Sequence, residues 1–148
     1  MVGIHVRRTI AAPVEKVFDW LADPANLRTA PLVLRSAWTK DTKGPGVGAV
    51  REVVGTGMWF REDITAYERP RSYSYLIVRS VPAFDHDGGT LTFTPSGTSS
   101  GECTDVDWLT DYTHPVFAGG RLMELVTRPL LRWNFLAILD ACDKAVAS

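Results

Sequence analysis

Thr104-Asp105-Val106-Asp107-Trp108-Leu109-Thr110-Asp111-Tyr112-Thr113, read with the stretch that follows Gly119-Gly120, decides how this chain folds. Val106, Trp108, Thr110 and Tyr112 share one face, while Asp105, Asp107 and Asp111 share the other with Leu109, as the two-residue period of a strand demands. Three carboxylates cannot sit unpaired in a core, so their face meets water and Trp108 and Tyr112 look inward. Beyond Gly120 the period becomes helical and stays so to the C-terminus. Leu122, Leu125, Val126, Leu130, Trp133, Leu136, Ala137 and Leu139 form a broad apolar face opposite Arg121, Glu124, Arg128, Arg132, Asp140 and Lys144. Pro129 inside this run predicts a kink, or a second helix starting there.

Working back, strands are expected near 33–40, 48–55, 58–67, 72–79, 89–95 and 104–113. Between them lie turn residues: Lys43-Gly44-Pro45-Gly46, Gly55-Thr56-Gly57, Glu68-Arg69-Pro70-Arg71, Asp85-His86-Asp87-Gly88 and Pro95-Ser96-Gly97. Such short connections make an antiparallel meander. The chain opens with a further strand, in which Val2, Ile4, Val6, Arg8 and Ile10 alternate with their neighbours. Pro13 suits the first turn of a helix, and Val14, Val17, Phe18 and Leu21 give it one apolar face. Asp23-Pro24 ends it, and a short second helix is expected around 24–29. The expected fold is α+β, a curved seven-stranded antiparallel sheet wrapped around the long C-terminal helix, with two short helices after the first strand. That helix alone can cover the apolar face of the sheet, and a wrap that does not fully close leaves a ligand cavity.

With 148 residues the chain suits one domain, over 1–148, with enough core to need no disulfide or structural metal. Sixteen Lys and Arg against seventeen Asp and Glu leave a net charge of -1, which lacks the positive field that nucleic-acid binding needs. Cys103 and Cys142 are too few for a disulfide scaffold or a Cys-only zinc site. Met1-Val2-Gly3-Ile4-His5-Val6-Arg7-Arg8 has no apolar h-region, so no signal peptide is expected, and no run reaches the roughly 18 apolar residues of a membrane span. A soluble, cytoplasmic protein with no integral membrane association is therefore expected. Gly44-Pro45-Gly46-Val47-Gly48 imitates a dinucleotide loop but precedes a strand. Nucleophile-elbow and phosphate-loop motifs are lacking too, so NAD, ATP and serine-hydrolase readings drop, and no cofactor or metal is expected.

The opening strand, Ile10-Ala11-Ala12-Pro13-Val14-Glu15-Lys16-Val17-Phe18 and Asp23-Pro24 resemble the start of the SRPBCC (START-like) superfamily. Gly46-Val47-Gly48-Ala49-Val50-Arg51, Arg61-Glu62-Asp63-Ile64, Glu68-Arg69-Pro70-Arg71 and Ser72-Tyr73-Ser74-Tyr75 extend the likeness over the whole chain. Its polyketide cyclase/dehydrase-type branch is the most similar. The resemblance implies a helix-grip fold around a pocket for apolar small molecules such as lipids, sterols, polyketides or plant hormones. Arg28-Thr29-Ala30 departs from it, since many relatives place a tryptophan there.

Likeness to the abscisic-acid receptors within this superfamily points Arg35, Arg51 and Glu62 into the cavity; alternation alone does not settle their phase, because a bulge flips a strand. A guanidinium and a carboxylate in an apolar pocket need each other, water or a ligand, so either a ligand site or a buried strand-locking ion pair would satisfy them. Val53 shares the Arg51 face. Tyr75, Ile77, Trp108 and Tyr112 are expected to line the pocket, with Leu122, Val126 and Leu130 facing them from the helix, and Tyr73 to fill core. Phe84, in the apolar loop 80–84, is expected to touch ligand beneath a gate or to pack against the sheet rim. Asp85-His86-Asp87 reads as a solvated turn, His5 as an exposed strand residue, and His114 as a hydrogen-bonding residue at the helix start.

Two functions follow. One is a binding module that holds an apolar or amphipathic small molecule by its polar end on Arg35, Arg51 or Glu62. The other is an aromatase/cyclase acting on a poly-β-ketone, with Glu62 as base and Arg51 and Tyr75 or Tyr112 as enolate donors. A ligand-dependent regulatory module is a weaker third, and homodimerisation is left open.

Overall fold

The computed structural model describes residues 2–81, 83, 85–98 and 101–147. Strand β1 (Val2–Ile10) leads into α1 (Val14–Ala22) and a 3-10 turn, Pro24–Thr29. Strands β2 (Val33–Trp38), β3 (Val50–Gly55), β4 (Met58–Glu68), β5 (Ser72–Val81), β6 (Asp85–Thr98) and β7 (Gly101–Thr113) follow, then helix α2 (Gly120–Val146). The strands make one antiparallel sheet in the order β1-β7-β6-β5-β4-β3-β2, curled around α2 in the helix-grip manner. The seven expected strands are all present. β6 is longer than its alternation shows, because Asp85-His86-Asp87, expected as a turn, pairs with Thr113 and Tyr112 of β7 across a bulge at His86/Gly88.

In β7, Thr104, Val106, Trp108, Thr110 and Tyr112 are buried while the aspartates lie on the wetter face. Helix α2 continues through Pro129 without ending. Its rotation differs from the expected one. The buried residues are Asn134, Ile138, Leu139, Cys142 and Val146, and Leu131 and Phe135 extend this face toward the N-terminus. Leu122 and Val126 point to solvent instead of the sheet, at 71% and 52% exposure. The reason is that α2 carries apolar residues on two opposite faces. Its C-terminal half fixes which one turns inward, and Arg8 of β1 pins that half through Asp143 at 2.9 Å and Asp140 at 3.1 Å.

The packed core lies where α1 meets the sheet. Phe18 sits edge-on against Tyr67, Tyr73 and Phe93, with ring centroids 5.0–5.6 Å apart, and Tyr73 donates to the Leu21 carbonyl at 3.1 Å. Thr104, buried on β7, donates to the Ala12 carbonyl at 2.9 Å, tying the helix approach to the sheet. Tyr73 is thus spent on core. Further along the sheet the packing opens, and there Gly89 of β6 gives up its side chain to let the Tyr75 ring cross it. A Cβ at Gly89 would stand 2.3 Å from Tyr75 Cζ. Gly89→Ala is therefore expected to destabilise the protein by about 1–3 kcal/mol, the cost of overpacking. Urea denaturation measures it, and an unchanged midpoint would mean the ring is not held there.

Candidate functional site

Between the open part of the sheet and α2 lies a cavity of about 80 Å³. Apolar walls come from Val33, Val53, Met58, Phe60 and Ile77 of the sheet and Leu131, Phe135 and Ile138 of α2. A second hollow of about 40 Å³ shares Met58, Phe60, Tyr112 and Leu131 with it and ends at His114, Thr127 and Leu130. The space is narrow: a single ring or a slender chain is the scale of guest it meets without larger adjustment of the walls.

Arg51 and Glu62 face each other across β3 and β4. Arg51 Nε donates to Glu62 Oε1, and both side chains are buried, at 2% and 8% exposure. Burial alone works against the charge on Arg51. The Glu62 carboxylate outweighs it, with help from the phenols of Tyr73 and Tyr75, and raises the guanidinium above its ordinary pKa. The guanidinium carbon also lies 5.0 Å from the Tyr75 ring centroid and 6.0 Å from that of Tyr73, within cation–π range. Arg51 Nη1 is buried with no hydrogen-bond acceptor among the described residues. A charged donor so placed costs more than the ~1–3 kcal/mol of a neutral one left unmade.

The other polar groups of the wall are engaged. Trp108 Nε1 donates to Tyr75 Oη at 2.9 Å, and burial pushes the Tyr75 phenol well above its ordinary pKa, with the Glu62 carboxylate adding to the effect. The Ile77 N–H donates to His86 Nδ1 at 2.9 Å, which leaves the neutral ring's proton on Nε2 to be donated to Thr110 Oγ1 at 2.7 Å. Thr110 in turn donates to the Gly88 carbonyl at 3.3 Å. Asn134 Oδ1 accepts from the Leu32 N–H at 3.1 Å, and its Nδ2 donates to the Leu130 carbonyl at 2.7 Å. At the far end His114 Nδ1 donates to the Ala83 carbonyl at 3.1 Å, so Nε2 faces Thr127 Oγ1 at 3.1 Å, and Tyr112 Oη lies 2.9 Å from the same hydroxyl. The His114 N–H donates to Glu124 Oε1 at 3.1 Å.

Of the expected site residues, the cavity brings together Arg51, Val53, Glu62, Tyr75, Ile77, Trp108 and Tyr112. Arg35 is not among them. A bulge between Val33 and Arg35 flips the phase of β2, so Arg35 is exposed on the outer face beside Glu52, Val54 and Arg61. Leu130 borders only the second hollow, and Leu122 and Val126 face solvent, because the other face of α2 is the inward one. Phe84 lies outside the described residues. Thr110, expected on the inward face but given no site role, and His86, not expected there, are wall residues; for His86 the Asp-His-Asp-Gly-Gly run read as a turn hides the strand. Asn134, Phe135 and Ile138 repeat at helical spacing and were detectable, but the greasier opposite face outweighed them. His5 is exposed, 3.0 Å from Asp107. Among the described residues no three His, Cys, Asp or Glu side chains are grouped to hold a metal ion, and no helix is long and apolar enough to cross a membrane.

A family model described as polyketide cyclase/dehydrase and lipid transport matches residues 1–147. No curated protein matches the sequence significantly. Solved structures do match in fold. The protein XoxI of Bacillus cereus is 19% identical, with a TM-score of 0.73 over 99% of this chain and 96% of its own. TTHA0849 of Thermus thermophilus is 19% identical, with a TM-score of 0.72 over 98% of this chain and 97% of its own. Ms6760 of Mycobacterium smegmatis is 17% identical, with a TM-score of 0.65 over 97% of this chain and 89% of its own.

The cavity wall has a pH signature. Burial lowers the pKa of His86 below its ordinary value, against the smaller raising effects of Glu62, Asp87 and Asp111. Below the unfolded pKa of ~6.5 the unfolded chain then binds more protons than the folded one, so stability falls as pH drops. His86→Gln is expected to flatten the decline in urea midpoint between about pH 7 and pH 5; parallel curves for the two proteins would show that His86 titrates as it does in water.

Proposed function

We propose that this chain, which belongs to the polyketide cyclase/dehydrase and lipid transport family, binds an apolar or amphipathic small molecule between sheet and α2 and holds an acceptor oxygen of it on Arg51. The observation that carries this is the buried, unmatched Nη1 in a wall of apolar side chains and hydrogen-bonded polar ones. The indole of Trp108, the imidazole of His86, the hydroxyl of Thr110 and the amide of Asn134 are committed to protein acceptors, so the recognition element is a carbonyl, enol or carboxylate oxygen rather than a donor group. Apolar burial supplies affinity, and this one bond supplies orientation.

A cyclase-type reaction on a poly-β-ketone is the second reading. The chain from Tyr112 through Thr127 to His114 favours it, since it links a phenol in the cavity wall to an imidazole by two hydrogen bonds. General acid–base chemistry uses such links to move a proton from bound substrate. Conversion of a poly-β-ketone by the wild type, lost in Tyr112→Phe while binding persists, would carry the assignment to this reading.

Acetophenone and its methylene isostere α-methylstyrene test the binding reading, since they differ only in the oxygen. The wild type is expected to prefer acetophenone by about tenfold, the worth of one hydrogen bond to a charged donor. The doubly apolar variant Arg51→Met/Glu62→Leu, which leaves no lone buried charge, should bind both alike. Titration calorimetry reads both affinities. Equal affinities in the wild type would overturn the role given to Arg51.

A further inference from the structure

The outward face of α2 is as apolar as the inward one. Leu122, Leu125, Val126, Trp133 and Leu136 follow one another along one side of the helix and are all exposed, Leu125 at 73% and Trp133 at 51%. Phe117, in the 3-10 turn Val116–Ala118 just before the helix, prolongs the stripe at 85% exposure. An apolar face this continuous is not the scatter of single residues found on ordinary surfaces.

Its flank is basic. Arg121, Arg128 and Arg132 fall within about 40° of one another around the helix, at roughly 100° per residue, along one edge of the stripe. All three are exposed, and among the described residues none has a carboxylate within ion-pair distance; Arg132 donates to the His5 carbonyl at 3.0 Å, so Arg121 and Arg128 carry most of the free charge. The acidic residues of the helix lie elsewhere. Glu124 is turned to His114, while Asp140 and Asp143 near the C-terminal end are taken by Arg8 and Lys144. A net charge of -1 for the whole chain makes this local excess of cation a feature of the face rather than of the composition.

We propose that this face docks on an anionic lipid bilayer, with the stripe in the acyl boundary and the arginines among the headgroups. An apolar stripe with aromatic residues and a basic flank is the pattern of a helix lying in the interface plane. Charge selects this occupant over a second copy. A two-fold pairing of antiparallel stripes sets the arginine flank of one copy beside the same flank of the other; a parallel pairing sets it beside Met123 and Ala137, again with no carboxylate. Position supports it too. Leu130, at the stripe's edge, is also a wall of the second hollow, so an apolar guest passing between bilayer and interior has its shortest route beside this helix. Docking needs only the stripe and the arginines and no cavity ligand, so it is independent of what the interior binds.

Co-sedimentation with vesicles of phosphatidylcholine, with or without about one-third phosphatidylglycerol, tests it. The wild type should partition to the anionic vesicles at least about tenfold more strongly, and high salt should remove most of the difference. Arg121→Gln/Arg128→Gln should weaken partition by about fivefold per arginine. Leu125→Glu should abolish it with an unchanged circular-dichroism spectrum and melting temperature. Equal partition to both vesicles, or none to either, overturns the proposal. So does a wild-type dimer in analytical ultracentrifugation that Leu125→Glu splits, since a second copy would then own the face.

Discussion

A guanidinium and a carboxylate locked together inside an apolar hollow set the terms for everything around them. Arg51 and Glu62 are opposite one another on neighbouring strands, so the register of β3 on β4 and the closure of the ion pair are one condition. A slip of one residue in β3 would turn Arg51 outward and leave the Glu62 carboxylate buried without its partner. Apolar residues of similar volume would hold the strands as well or better, because desolvation consumes much of what a buried pair gains. The pair therefore has to be explained by something other than stability. It leaves Nη1, which carries two of the guanidinium's five N–H donors, without a hydrogen-bond partner among the described residues, and the rings of Tyr73 and Tyr75 lie within cation–π range of the charge.

The sequence makes the strands legible because the aspartates of β7 leave only one phase open. The same alternation puts Arg51 with Val53 and Glu62 with Ile64, and these land on the inner face. It fails where backbone irregularity intervenes. One bulge in β2 is enough to carry Arg35 to the outer surface, and one bulge at His86/Gly88 lets a run of turn formers continue a strand. Neither leaves a mark on side-chain periodicity, since a bulge changes the count by one residue without changing the residue types. Helix α2 fails for another reason. With leucines on both faces, periodicity identifies a helix but not its rotation, which follows from the burial of Ile138, Leu139, Cys142 and Val146, with the distant clamp of Arg8 on Asp140 and Asp143 consistent with it.

That clamp also divides the helix. The buried positions of α2 begin at Asn134 and run to Val146, so the C-terminal half is fastened by core packing and ion pairs. Before Asn134 the inward residues, among them Thr127 and Leu131, are only partly buried, and Pro129 leaves the helix one backbone hydrogen bond short. Resistance to displacement follows buried apolar contact, and it is lowest in this N-terminal half. The second hollow lies beneath the same half, against Thr127, Leu130 and Leu131, and shares with the cavity the pliant side chain of Met58. Any guest larger than the space now open meets its least resistance there. The exposed leucines and Trp133 add nothing to the core on this half, so their presence calls for a partner outside the fold, and the inner face already has one in the sheet.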